Sequence, residues 1–75
     1  MFEKVKKLLV EELNVDESKI TPEAELATDL NVNSLELADL ILLCEEKFGL
    51  VIDDEDLHTF ITVGDIVNYL EKQDL

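Results

Sequence analysis

The sequence is poor in the residues that build most catalytic and metal centres. Among its 75 residues there is one cysteine, one histidine, one proline, two glycines and neither arginine nor tryptophan. A single cysteine excludes an intramolecular disulfide, and Cys44 with His58 provides too few soft ligands for a structural zinc site. Neither a nucleophile elbow nor a glycine-rich phosphate loop can be found. We therefore predict a chain without catalytic residues or a metal site.

Long hydrophobic runs are missing as well. No segment approaches the roughly 20 apolar residues that a membrane-spanning helix needs, and no apolar run follows the first residues as it would in a secretion signal. The single thiol agrees with a reducing compartment. We expect one free-standing domain over residues 1–75, monomeric and cytoplasmic.

Acidic residues are abundant, and cations are scarce. Nineteen acids against six lysines give a formal charge of −13 at pH 7. Such a surface repels nucleic acids and anionic membranes, and it attracts basic protein surfaces. The same charge would also keep a small protein soluble, and composition does not separate these two interpretations.

Apolar residues recur at helical spacing in several segments, and none alternates like a strand. Asn33 with Glu36, and Thr62 with Asp65, resemble capping boxes, and Gly49 suits a left-handed C-cap. The predicted fold is all-α, a small four-helix bundle with three main helices and one short helix. The predicted helices run from about Phe2 to Leu13, from Ser34 to Phe48, within residues 53–60, and from just after Thr62.

A long connection separates the first two predicted helices. A loop of this length in a small domain is normally pinned by its own apolar residues or has a function. Thr21–Glu23 could begin a short helical turn. The apolar residues of the connection are Val15, Ile20, Leu26, Leu30 and Val32.

The second predicted helix has two apolar faces at about 100° per residue. The predicted core stripe consists of Leu37, Leu40, Ile41, Cys44 and Phe48. Leu35, Ala38 and Leu42 form a strip on roughly the opposite side. The acids beside this strip are Glu36, Asp39, Glu45 and Glu46. An apolar strip among carboxylates suits a basic partner, although Leu35 and Leu42 could also pack under the loop or against the short third helix, and the acids could be a solvated face.

Ser34 lies directly after the cap of this helix, where unpaired amides and the helix dipole favour a phosphate ester. An ordinary serine at a helix start is the commoner case, so position alone decides little. The surrounding residues Asp29-Leu30-Asn31-Val32-Asn33-Ser34-Leu35 resemble the attachment motif of acyl carrier proteins. Glu45–Gly49, Ile52–Asp56 and Thr62–Leu70 resemble later parts of that family.

The resemblance implies that Ser34 accepts 4′-phosphopantetheine from coenzyme A through a separate phosphopantetheinyl transferase. The thiol of the arm would hold an acyl chain as a thioester, shielded between the second and third helices. The strip and its acids would bind the transferase and basic acyl-chain synthases, reductases and acyltransferases. The residues implied in partner binding are Leu35, Glu36, Ala38, Asp39, Leu42, Glu45 and Glu46.

Two positions depart from the family pattern. Asn31 replaces the usual glycine, which asparagine can do because it tolerates left-handed backbone. Asn33 replaces the usual aspartate before the serine, so the capping geometry is kept and a negative charge is lost. This second departure leaves room for a specialised or poorly modified member of the family.

Two other features of the sequence do not indicate a functional site. Cys44 falls on the core stripe and is predicted to be a small buried hydrophobe. Asp53–Asp56 lacks the alternating ligands of a calcium loop. Three functions stay open: a carrier for fatty acid biosynthesis, a carrier dedicated to polyketide, peptide or specialised lipid synthesis, and an unmodified acidic adaptor.

Overall fold

Residues 1–73 fold into four α-helices and one 3₁₀ turn. The computed structural model describes residues 1–73, so Asp74 and Leu75 of the predicted domain lie outside the described residues. The described part contains no strand, which confirms an all-α fold with three main helices and one short one. The helices are α1 (Phe2–Leu13), α2 (Ser34–Phe48), α3 (Asp54–Leu57) and α4 (Val63–Lys72), and the 3₁₀ turn is Glu17–Lys19.

The helix ends confirm the predicted caps. Both capping boxes are complete, with Asn33 and Glu36 at the start of α2 and Thr62 and Asp65 at the start of α4. Helix α2 ends at Gly49, whose φ of 66° is left-handed. Each cap satisfies amides or carbonyls that a helix end leaves unpaired, which fixes where the helix begins and ends.

The core forms where α1 packs against α2 and α4. The predicted core stripe of α2 is correct for Leu40, Ile41 and Cys44, which are buried, whereas Leu37 and Phe48 are only half-buried against the core. Burying one large aliphatic side chain contributes about 1.5–3 kcal/mol, which is a large share of the net stability of a small domain. The largest fully buried side chains are Leu9, Leu40, Ile66, Leu70, Val5, Val63 and Cys44.

The long connection between α1 and α2 is pinned by its own apolar residues, as predicted. Ile20, Leu26, Leu30 and Val32 are buried, and Val15 is half-buried. Because these side chains enter the core, the connection is part of the folded unit and presents a fixed entry into α2.

A turn does begin at Thr21, as predicted, but it does not extend into a helix, and the short 3₁₀ helix lies earlier, at Glu17–Lys19. Residues 22–23 form a single turn that is closed by Ala24 N–H donating to Thr21 O at 3.1 Å. The carbonyls that would continue a helix are used elsewhere: the Pro22 carbonyl accepts from Gly64 N–H at 2.8 Å and the Ala24 carbonyl from Val63 N–H at 3.0 Å.

These bonds join the connection to the first turn of α4. A Cβ atom on Gly64 would lie 2.8 Å from the Pro22 carbonyl oxygen, so the close approach requires glycine. A third bond, from Leu26 N–H to Ile61 O at 2.9 Å, continues the pairing. The segment that leads to Ser34 is thereby held against the α3–α4 loop. Within residues 1–73, no helix is both long and apolar enough to cross a bilayer.

Candidate functional site

Ser34 is the first residue of α2, and its side chain is exposed. Asn33 Oδ1 accepts from Glu36 N–H at 2.8 Å, and Asn33 O accepts from Leu37 N–H at 2.9 Å. The amides of Ser34 and Leu35 make no such bond to the described residues. A phosphodiester on the Ser34 hydroxyl would therefore lie beside free amides, at the positive end of the helix dipole.

The backbone before Ser34 is fixed by a tight turn. Val32 N–H donates to Leu26 O at 2.7 Å, and Asn31 has a left-handed φ of 56°. This is where the acyl carrier resemblance places glycine, so asparagine supplies the same backbone conformation here. The turn leads directly into the Asn33 cap, after which Ser34 begins α2.

A cleft of about 190 Å³ opens beside Ser34, between the start of α2 and the α3–α4 loop. Phe60 is buried, and its ring contacts Tyr69 edge-to-face with the centroids 5.4 Å apart. The cleft is therefore mainly apolar and has a packed wall. Its lining residues are Glu25, Leu26, Ala27, Val32, Asn33, Ser34, Leu37, Phe60 and Ile61.

The outer strip of α2 is open to solvent. Leu35 is 79% exposed, Leu42 is 53% exposed, and Ala38 between them is also exposed. The alternative that Leu35 and Leu42 pack under the loop or α3 is therefore wrong. The strip is an apolar surface that runs along α2 from Ser34 toward the other end of the helix.

The four acids beside the strip fall into two groups. Asp39 and Glu46 are exposed. Glu36 Oε1 accepts from Asn33 N–H at 3.1 Å, and Glu45 Oε2 accepts from Ile52 N–H at 2.7 Å. Glu36 and Glu45 therefore hold backbone amides of the fold. The carboxylates of Asp39 and Glu46 form no ion pair within residues 1–73, so their charge is available to a partner.

Two sequence features lie away from this site. Cys44 is fully buried, and desolvation, with a smaller contribution from the Glu45 charge, raises the pKa of its thiol to about 11. The thiol is therefore protonated at neutral pH and poorly nucleophilic. In the described part of the chain, no three His, Cys, Asp or Glu side chains are grouped so as to hold a metal ion.

Two residues at the cleft were not singled out by sequence reasoning. Ile61 is 58% exposed, and Glu25 lies on the cleft rim. Phe60 and Ile61 form an apolar pair directly before the Thr62 cap, and only Phe60 is buried. That pair is the one signal in the sequence that an apolar residue could be left outside the core here.

Comparison with known proteins identifies the class of domain. Residues 3–70 match the family described as "Phosphopantetheine attachment site". The chain is 51% identical to the acyl carrier protein of Thermotoga maritima, with 97% of this chain and 90% of that protein covered. It is 44% identical to the acyl carrier protein of Helicobacter pylori strain G27, with 100% of this chain and 96% of that protein covered.

The chain belongs to the acyl carrier protein family. It is a carrier rather than a catalyst, and a covalently attached 4′-phosphopantetheine is its cofactor. The site fits this group, because it offers an exposed hydroxyl at a helix N-terminus where the amides of Ser34 and Leu35 have no backbone partner among residues 1–73. When attached, the arm supplies a terminal thiol that carries an acyl group as a thioester.

Proposed function

We propose that this protein carries the intermediates of fatty acid biosynthesis as thioesters on a 4′-phosphopantetheine arm attached to Ser34. The observation that carries the proposal is the position of Ser34, exposed at the N-terminus of α2 within the attachment-like motif. The other serine, Ser18, donates its hydroxyl to Asp16 Oδ1 at 2.8 Å and lies at no helix of comparable length.

The attachment is a phosphoryl-group transfer made by a separate transferase. Ser34 Oγ forms a bond to the pantetheine-side phosphorus of coenzyme A, and the pyrophosphate P–O bond breaks. The nucleotide bisphosphate leaves with the bond's electron pair, and the serine proton passes to a base of the enzyme. This chain contributes the hydroxyl and holds it outside the core. We also place the carrier in the cytoplasm, where coenzyme A is found.

The outer strip of α2 is the proposed docking surface for the transferase and for basic synthases, reductases and acyltransferases. Leu35, Ala38 and Leu42 supply apolar contact, and Asp39 and Glu46 supply free negative charge. Glu36 and Glu45 add charge while they hold their backbone partners. Charge complementarity of this kind accelerates encounter and selects basic partners.

A second candidate is a carrier dedicated to polyketide, peptide or specialised lipid synthesis. Asn33 favours it, because the position before Ser34 keeps its cap and lacks the carboxylate typical of the family. Identifying the acyl group on carrier isolated from its own cells separates the two candidates.

Incubation with coenzyme A and a broad-specificity phosphopantetheinyl transferase, followed by intact-protein mass spectrometry, tests the assignment of Ser34. The wild type and the control Ser18→Ala should each gain one phosphopantetheine, and Ser34→Ala should gain none. All three should keep their helical circular dichroism, because both serines are exposed. A mass gain that persists in Ser34→Ala would show that another residue carries the arm.

A further inference from the structure

Two exposed aliphatic side chains flank Ser34 from different parts of the fold. Leu35 follows Ser34 on α2, and Ile61 lies on the α3–α4 loop, on the same cleft as Ser34. The outer strip of α2 accounts for Leu35. Ile61 belongs to no helix, and 58% of its surface is exposed to solvent.

The backbone of Ile61 is held on both sides. Its N–H donates to Asp65 Oδ2 at 3.0 Å, and its carbonyl accepts from Leu26 N–H at 2.9 Å. Asp65 also accepts from Thr62 N–H at 2.9 Å, and these bonds lower the pKa of its carboxyl. The exposure of Ile61 is thus a fixed feature of the folded chain and not the result of an untethered loop.

We propose that Ile61 is a second apolar contact for the transferase that modifies Ser34, so that this enzyme contacts the chain on both sides of the serine. The proposal rests on the function proposed above. A fixed, exposed aliphatic side chain beside an acceptor hydroxyl is a natural anchor for a partner. The matching surface is an apolar depression with basic groups around it, because Glu25 lies on the rim of the same cleft and Asp39 lies five residues beyond Ser34 on α2.

The geometry favours the transferase over the enzymes that use the finished carrier. An enzyme that bonds phosphorus to Ser34 Oγ must bring its active site against that oxygen, and it therefore covers the mouth of the cleft. Enzymes that act on the distal thiol reach it through the long arm and need not touch this loop. Ile61 should therefore matter for attachment more than for later acyl transfer.

The test compares Ile61→Thr with Val51→Thr. Both substitutions keep a β-branched shape, and both side chains are exposed, with Val51 at 80%. Val51 follows the C-cap of α2, at the opposite end of a helix about 22 Å long. The measurements are the KM and kcat of phosphopantetheine transfer, the Kd of the unmodified chain for the transferase, and the melting temperature.

We expect Ile61→Thr to raise KM and Kd about 3- to 10-fold, as loss of an interface anchor does, with kcat and the melting temperature unchanged. Val51→Thr should match the wild type, and Ile61→Val should fall between Ile61→Thr and the wild type. Equal kinetics for Ile61→Thr and wild type, or equal losses in Ile61→Thr and Val51→Thr, would overturn the contact alone. A wild type that gains no arm would overturn the proposed function together with this contact.

Discussion

The two apolar faces of α2 are made of the same residue types and have opposite surroundings. On the inner face, Leu40 and Ile41 are almost completely buried, and on the outer face Leu35 and Leu42 are mostly exposed. A domain with one small core can cover only one face of such a helix. The difference shows that the angular position of a leucine, and not its type, decides whether it stabilises the fold or stays available to a partner.

Alanine substitutions on each face test this division most strongly. Leu40→Ala should lower the free energy of unfolding by about 2–5 kcal/mol, because it leaves a cavity in the packed core. Leu42→Ala should change it by less than about 0.5 kcal/mol, as surface substitutions do. Urea denaturation of the two variants beside the wild type gives both values.

In partner binding the order of the two variants should be reversed, with the larger direct loss of affinity in Leu42→Ala. Leu42→Ala should weaken docking to a transferase or synthase while leaving the protein folded. Leu40→Ala should weaken docking only to the extent that it unfolds the chain. A Leu42→Ala variant as destabilised as Leu40→Ala would contradict the assignment of two faces.

Two neighbouring acids also differ in whether they stabilise the fold, and the expected difference in unfolding free energy is smaller. The Glu45 carboxylate accepts from Ile52 N–H at 2.7 Å, whereas Glu46 is exposed. Glu45→Ala leaves a part-buried amide without its partner, and we expect a loss of about 1–2 kcal/mol. Glu46→Ala should cost less than about 0.5 kcal/mol.

Amide hydrogen exchange tests the Glu45 bond directly at the amide that donates it. Exchange at Ile52 should accelerate in Glu45→Ala and stay at the wild-type rate in Glu46→Ala. Equal unfolding free energies in the two variants, together with unchanged exchange at Ile52, would mean that the Glu45 bond contributes nothing to stability.

The sequence predicted the features that depend on near neighbours. The caps of α2 and α4 join residues three apart, and a four-residue pattern contains all of their chemistry. The bond from Ile52 to Glu45 spans seven residues around a helix end, and the approach of Gly64 to Pro22 joins segments far apart in the chain. Neither has a local signature, because each depends on how separate elements meet.

The residues of the candidate site divide in the same way, into those that a local pattern predicts and those that only the tertiary fold brings together. Ser34 and the outer strip follow from a motif and from helical periodicity, which one stretch of sequence contains. Ile61 and Glu25 reach the cleft only because the α1–α2 connection pairs with the start of α4. Their place beside Ser34 is a property of the tertiary fold, and it could not be inferred from their neighbours in the sequence.

A charge reversal on the outer face tests whether the free acids guide partners. Asp39→Lys should raise the KM of phosphopantetheine transfer several-fold at low ionic strength, chiefly through slower association. The difference from wild type should shrink as salt screens exposed charges. Glu12→Lys on α1 is the matched control, because Glu12 is also exposed and the change in net charge is the same. Equal effects from the two reversals would reduce the role of Asp39 to its share of the net charge.

Asn33→Asp is expected to have the smallest effect, and it tests the one departure that touches the serine directly. Asn33 Oδ1 accepts from Glu36 N–H, and aspartate can accept the same bond. A carboxylate there gains from the helix dipole, but it also lies near the Glu36 carboxylate, which accepts from the amide of residue 33. These two terms oppose each other, so the melting temperature should hardly change.

The rate of arm transfer should rise by about two- to threefold through stronger attraction to a basic transferase. A time course at fixed magnesium, with the modified fraction read by mass, measures this rate. Asn68→Asp is the control, because Asn68 is an exposed asparagine on α4 that does not line the cleft beside Ser34. A slower rate in Asn33→Asp would show that the neutral side chain is an adaptation to this carrier's own transferase, which would strengthen the case for a dedicated pathway.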